Sequence, residues 1–207
     1  YDAVADSTVS VTTSDDDTAP FTLAGTAVTV SEAGSTATFT VVLGAQPASD
    51  VALSVVSADT GEATVSPAQL TFTSSNWNAA QTVTVTGVND SVVDGNQTTA
   101  VTVAVVDASS DNAFDALADQ TVTVTTSDDD SPGVSVTESD GSTATTESGG
   151  TDTFTVVLNT QPSSDVVVSV ASSDTGEVTV APATVTFTSG NWNAAQTVTA
   201  TGVDDTT

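Results

Sequence analysis

The stretch Thr121-Val122-Thr123-Val124-Thr125-Thr126-Ser127-Asp128-Asp129-Asp130 decides how this chain folds. Its first half alternates valine with threonine, the period of a strand with one face buried and the other in water. Its last three residues are adjacent carboxylates. Residues 8–17 read almost the same, with Val9 and Val11 between hydroxyl residues before Asp15, Asp16 and Asp17. Three carboxylates in a row repel one another unless a cation arrives. The chain has 27 acidic residues, no Lys, Arg or His, and a formal charge of -27, so no side chain can be that cation. Ligands that offer only oxygen select a hard ion such as Ca²⁺.

The same composition excludes several function classes. Nucleic acid and direct insertion into an anionic membrane are ruled out as expectations, because both surfaces would repel so acidic a chain. With no cysteine, neither disulfides nor thiolate metal sites can form. Without His, Lys or Cys to activate a nucleophile, catalysis is not expected. A carboxylate pair for glycoside hydrolysis would need an aromatic-lined cleft, and aromatic residues are only 4% of the chain. The absence of cysteine suits a secreted or cell-surface protein stabilised by metal instead of disulfides, and no apolar run of transmembrane length occurs.

Working outward, the chain repeats itself. Thr-Phe-Thr-Val-Val-Leu at 38–43 returns at 153–158, Asp-Thr-Gly-Glu at 59–62 returns at 174–177, and Asn-Trp-Asn-Ala-Ala-Gln-Thr-Val-Thr at 76–84 returns at 191–199. Residues 1–17 match 114–130. The expected organisation is the C-terminal strand of a preceding repeat at 1–17, one complete unit at 18–130, and the N-terminal part of a following unit at 131–207. A period above about 100 residues is too long for a solenoid rung and suits whole domains in tandem. Residues 1–17 could supply a last strand to another chain's third unit. Together, however, 1–17 and 131–207 fall short of a whole unit by the counterpart of 93–113, so a window from a longer array is the simpler expectation.

Within 18–130, alternation predicts seven strands near 27–31, 36–43, 51–57, 69–73, 81–86, 98–106 and 121–126. Predicted inward residues are Phe39, Val41, Leu43, Val51, Leu53, Val55, Leu70, Phe72, Val83, Val85, Val101, Val103, Val105, Val122 and Val124. No helical period appears. The fold class is therefore all-β, tandem immunoglobulin-like antiparallel β-sandwiches. Because consecutive strands alternate direction, every second connection lies at the same end. That places Glu32, Asp59, Glu62, Asp90, Asp94 and the run Asp128 to Asp130 at one pole. An acidic solvating surface would instead scatter its acids, yet 63–86 and 178–203 contain none. Asp107, Asp111, Asp115 and Asp119 fall at the other pole and read as turn residues. Trp77 and Trp192, in matching turns there, are expected to cap the core, although an exposed tryptophan can also stack on a sugar.

Val30-Ser31-Glu32-Ala33-Gly34, the Asp59-Thr60-Gly61-Glu62 turn, Val88-Asn89-Asp90-Ser91-Val92-Val93-Asp94 and Ser127-Asp128-Asp129-Asp130 together resemble the Calx-β domain. This calcium-binding sandwich occurs in sodium–calcium exchangers and in giant bacterial surface proteins. The resemblance implies Ca²⁺ at one end, held by Glu32, Asp59, Asp90, Asp94, Asp128, Asp129 and Asp130. It implies the same role for Asp15, Asp16 and Asp17 in the preceding unit and for Glu147, Asp174 and Asp205 in the following one. The exchanger pattern carries further glutamates where this chain has Gly95, Asn96 and Gln97. The third unit stops within the corresponding loop, so its site is expected to be incomplete. The implied function is a calcium-binding structural repeat of a long surface protein, adhesin or fibre, with calcium stiffening the junctions between repeats. The alternative is an adhesive module for a glycan or protein. Implied partners are calcium, neighbouring repeats and, through unguarded edge strands, other copies of the chain.

Overall fold

In the computed structural model of the chain, residues 8–12 and 20–204 are described. Asp15, Asp16, Asp17 and Asp205 lie outside them. Among the described residues there is no α-helix, and none long and apolar enough to cross a membrane.

Nine strands build the first sandwich: β1 (Phe21–Ala24), β2 (Ala27–Ser31), β3 (Thr36–Leu43), β4 (Val51–Ser57), β5 (Ala63–Ser66), β6 (Gln69–Phe72), β7 (Gln81–Gly87), β8 (Gln97–Val105) and β9 (Gln120–Ser127). One sheet has the order β1-β3-β7-β5 and the other β2-β9-β8-β4-β6. Between them lie the side chains that alternation points inward. Phe39, Val41, Leu53, Val55, Phe72, Val83, Val85, Val101, Val103, Val122 and Val124 are all fully buried, while Val105 packs at the margin. Phe21, Val30, Ala63 and Phe114 complete the core. The threonines between them face water, as a half-buried pleat requires.

Nine strands stand where seven were predicted, because β1 and β5 form where no strand was expected, and each leads without a change of direction into β2 or β6 of the other sheet. Before the crossover at Gly25, β1 pairs with β3; after it, β2 pairs with β9. Gly25 makes the bend at φ +84°, where a side chain is strained. Likewise β5 pairs with β7 and β6 with β4, on either side of Pro67, which has no N–H to offer a ladder. Parity survives because direction is kept. One pairing departs from the antiparallel expectation: β2 runs parallel to β9, from Ala27 beside Thr123 to Ser31 beside Ser127.

The second group is β10 (Val134–Glu138), β11 (Thr151–Leu158), β12 (Val166–Ser169), β13 (Val178–Ala181), β14 (Thr184–Phe187) and β15 (Gln196–Gly202). Its sheet β10-β11-β15-β13 repeats the order of the first sandwich's four-stranded sheet, and β12-β14 repeats the β4-β6 pair. A smaller core forms around Val156, Leu158, Val185, Phe187 and Val198.

Gly87 closes β7 against the end of β2. A carbon added there would collide with the backbone carbonyl of Ser31 and its neighbours. The neighbour is backbone, so it cannot swing away. Gly87→Ala should lower unfolding free energy in urea by about 1–3 kcal/mol. Gly190→Ala, whose added carbon meets nothing nearer than the Thr188 Oγ1 at 3.8 Å, should cost under about 1 kcal/mol. Equal costs would contradict this account of the packing.

Candidate functional site

Two strands that run parallel side by side finish at the same place. The residue after β2 is Glu32 and the residue after β9 is Asp128, and the ladder continues past the end of β2 through Glu32 N–H donating to the Ser127 carbonyl at 3.1 Å. Glu32, Asp128 and Asp130 consequently present carboxylate oxygens within 4.8 Å of one another. A second triad, Glu62, Asp90 and Asp94, meets the same limit. The two share a frame: Thr126 Oγ1 donates to the Glu62 carbonyl at 3.3 Å, and Val88 N–H to the same carbonyl at 2.9 Å.

Asp128 is the tie between the loop at 88–96 and the exit of β9. Its Oδ2 accepts from Gly95 N–H at 2.8 Å, its Oδ1 from Asp130 N–H at 2.8 Å, and its own N–H donates to Asn96 Oδ1 at 3.3 Å. Gly95, at φ +73°, lets the loop turn back onto it. Asp90 Oδ1 accepts from Val92 N–H at 2.7 Å and shapes the loop's first turn.

What these groups lack matters more than what they hold. Glu32 is 1% exposed. Its Oε2, together with Glu62 Oε2 and Asp130 Oδ2, is buried with no hydrogen-bond partner. The fourth such atom among the described residues, Asp115 Oδ1, lies in the β8–β9 connection at the opposite pole. A buried carboxylate oxygen without a partner is costly unless the group is protonated or meets a cation. Burial, then the charges of Asp90, Asp128, Glu62 and Asp94, push the Glu32 carboxyl up to about 7. Burial raises Glu62 as well, with Asp94, Asp59 and Asp90 adding to it. Asp130 rises for the same reason, with Asp128 and Asp129 nearest. In all three burial is the larger cause and like-charge crowding adds to it. An oxygen-only donor set with orphaned lone pairs fits a hard divalent cation.

The predicted ligands divide. Glu32, Asp90, Asp94, Asp128 and Asp130 stand in the two triads. Asp59 does not: its Oδ1 accepts from Gly61 N–H at 2.8 Å in an Asx turn, and Glu62 from the same loop takes its place. The Asp-x-Gly spacing is the signal that could have separated the two. Asp129 is exposed and in neither triad. In the second group, Asp174 repeats the Asx turn with Gly176 at 2.9 Å, and Glu147, the counterpart of Glu32, is exposed. No carboxylate triad forms there among the described residues.

At the other pole Asp111 is a strut. Asp111 accepts from Ala48, Ser49 and Ala113 N–H groups, and those bonds, with Ala113 and Ser49 foremost, hold its carboxyl below the usual range. Trp77 packs, partly buried, against the first core and Trp192 against the second, as the core-capping expectation has it.

No known protein family and no curated protein matches this chain. Among solved structures it is similar to CBD12 from CALX1.2, at 13% identity over 90% of this chain and 76% of that one, with a TM-score of 0.38. It is also similar to domains 5–6 of the S-layer protein SbsC, at 17% identity, 89% and 83% coverage and a TM-score of 0.35. SSP-19, an MSP-domain-like protein of Caenorhabditis elegans, is 22% identical over 52% of this chain and 97% of its own, with a TM-score of 0.35. Likenesses this distant carry no weight on function, and the sandwich is read from the strand pairing itself.

The raised Glu32 carboxyl has a pH signature in metal-free buffer. The folded state holds this proton more tightly than the unfolded chain, whose carboxyl has the usual value of 4.5. The stability it contributes is fully present below pH 4.5 and is lost as pH rises through about 7. With chelator present, unfolding free energy should therefore fall between pH 5 and 8, and Glu32→Gln should flatten that slope. A flat profile in the parent protein would contradict the assignment.

Proposed function

We propose that this chain is a calcium-binding structural segment of a long extracellular surface protein, adhesin or fibre, built of tandem repeats. In this reading 18–130 is one whole repeat, 131–207 begins the next, and 1–17 ends the one before. The observation that carries the reading is the double role of the loop at 88–96. Asp90 and Asp94 stand in one carboxylate triad, and Gly95 N–H is held by Asp128 of the other. Between them, Ser91 accepts from Gln161 N–H at 2.7 Å, and Val92 bridges to Gln161 in the following group of strands. The acidic loop is thus also the contact with the next unit.

Glu32, Asp128 and Asp130 would hold one ion, and Glu62, Asp90 and Asp94 a neighbouring one. When bound, calcium supplies the positive charge that no side chain of this protein carries. The chain's own contribution is placement: the β2–β9 ladder sets Glu32 beside Asp128, and the turns at Asp59 and Asp90 aim Glu62 and Asp94. With the repulsion cancelled, the 88–96 loop and the Pro132-Gly133 segment keep one arrangement, and successive sandwiches behave as a rod.

Extracellular calcium modules bind at about 10⁻⁴–10⁻³ M. Calcium at roughly 100-fold its dissociation constant adds about 2.7 kcal/mol per site. For a domain of this size that is a rise in Tm of roughly 10 °C or more. Differential scanning calorimetry with calcium and with EDTA should show it, and Glu32→Gln or Glu62→Gln should remove at least half of it. A Tm indifferent to calcium would reject the reading. Small-angle scattering adds the mechanical half: the maximum dimension should lengthen and sharpen with calcium, whereas an unchanged curve would reject stiffening.

A further inference from the structure

β6 is the outer strand of its sheet, paired only with β4, and β14 stands in the same place beside β12. An outer strand offers its outward N–H and C=O groups to any further strand, and lysine, the usual guard, is absent from this chain. The register says which groups those are. Val55 N–H donates to the Ala68 carbonyl at 2.9 Å, so residues 68, 70 and 72 bond toward β4. Thr71, between them, turns its N–H and C=O the other way. The same holds for Thr186 of β14, because Val170 N–H donates to the Ala183 carbonyl at 2.9 Å.

Side-chain amides close these outward groups. The Thr71 carbonyl accepts from Gln81 Nε2 at 2.8 Å and from Asn76 Nδ2 at 3.4 Å, and Asn76 Oδ1 accepts from Thr73 N–H at 2.6 Å. One residue of a parallel neighbouring strand would donate to that carbonyl and accept from that N–H. The Asn76 amide therefore stands in for a strand residue. Thr73 Oγ1 donates to Asn76 Oδ1 at 3.2 Å, which fixes the way the amide faces. Gln81 reaches over from β7, a strand of the other sheet. The second group repeats each bond. The Thr186 carbonyl accepts from Gln196 Nε2 at 2.7 Å and Asn191 Nδ2 at 3.3 Å, and Asn191 Oδ1 accepts from Thr188 N–H at 2.6 Å.

We propose that Asn76 with Gln81, and Asn191 with Gln196, are clamps that keep a second copy's edge strand from adding to β6 and β14. They fill, without charge, the part that lysine plays on other edges. The outer strands β5 and β13 are closed at their first residue by backbone instead, where Ala63 and Val178 N–H groups donate to the Asp59 and Asp174 carbonyls. The edges expected from composition to stand unguarded thus carry a guard of another kind. Nothing in the clamp rests on the calcium reading.

Gln81→Asn and Gln196→Asn, combined in the full chain, shorten both amides by one methylene and add no apolar surface. Sedimentation equilibrium is run in chelator, with salt to screen the charge of -27. The asparagine variant should associate at least about tenfold more tightly than the parent, because each freed carbonyl can accept from a second copy. Every other edge is the same in both chains, so contacts through them cancel. Gln81→Glu with Gln196→Glu breaks the same bonds but leaves a carboxylate on each edge, and should associate no more than the parent. Circular dichroism checks that both variants are folded. Hydrogen exchange locates the contact: Thr71 and Thr186 N–H groups, which point away from their sheets, should gain at least about tenfold protection as the asparagine variant associates. An asparagine variant no stickier than the parent, a glutamate variant that matches it, or association that leaves Thr71 and Thr186 unprotected would overturn the proposal.

Discussion

Carboxylates gathered at one pole, in a chain without a single basic side chain, are the constraint on which the rest of this structure turns. The backbone does the gathering. Parallel neighbours end together, so β2 and β9 deliver Glu32 and Asp128 to one spot, and the alternation of strand direction brings the 58–62 and 88–96 loops to the same end. Coulomb repulsion between unit charges about 4–5 Å apart is worth several kcal/mol in a part-buried setting. Hydrogen bonds relieve only part of it: Asp128 is fully engaged, while Glu32, Glu62 and Asp130 each keep a buried oxygen with no partner. Protonation or a cation must supply the remainder.

The core beside this pole is simple. It is made of valines and a few phenylalanines at alternate positions, with threonine outside. Such sheets gain little from aromatic packing and have modest reserves. A destabilising charge cluster in so small a domain makes its stability depend on what the cluster binds, which couples fold and site more closely than in a protein with a large core.

Most of the fold was legible because period two is a geometric consequence of the pleat. Each predicted inward residue from Phe39 to Val124 is buried or packs at the core margin. The sheet crossovers were not legible. At Gly25 and Pro67 the inward positions slip by one, from Phe21 and Leu23 to Val28 and Val30 and from Ala63 and Val65 to Leu70 and Phe72, but the four-residue strands before each slip are too short for the pattern to say which sheet they join. Phe114 was missed because it sits in a connection, where no period marks it as core. At the site, parity placed the acidic loops at one end but could not distinguish Asp59 from Glu62. That choice belongs to local hydrogen bonding: a short side chain two residues before Gly61 closes its own turn, and the longer glutamate is left to reach the cluster.

The most direct test is anomalous diffraction from crystals grown with calcium, or with a lanthanide in its stead. The account predicts peaks about 2.3–2.6 Å from carboxylate oxygens of Glu32, Asp128 and Asp130 and of Glu62, Asp90 and Asp94. An empty pole, or peaks confined to the acids between β8 and β9, would contradict it.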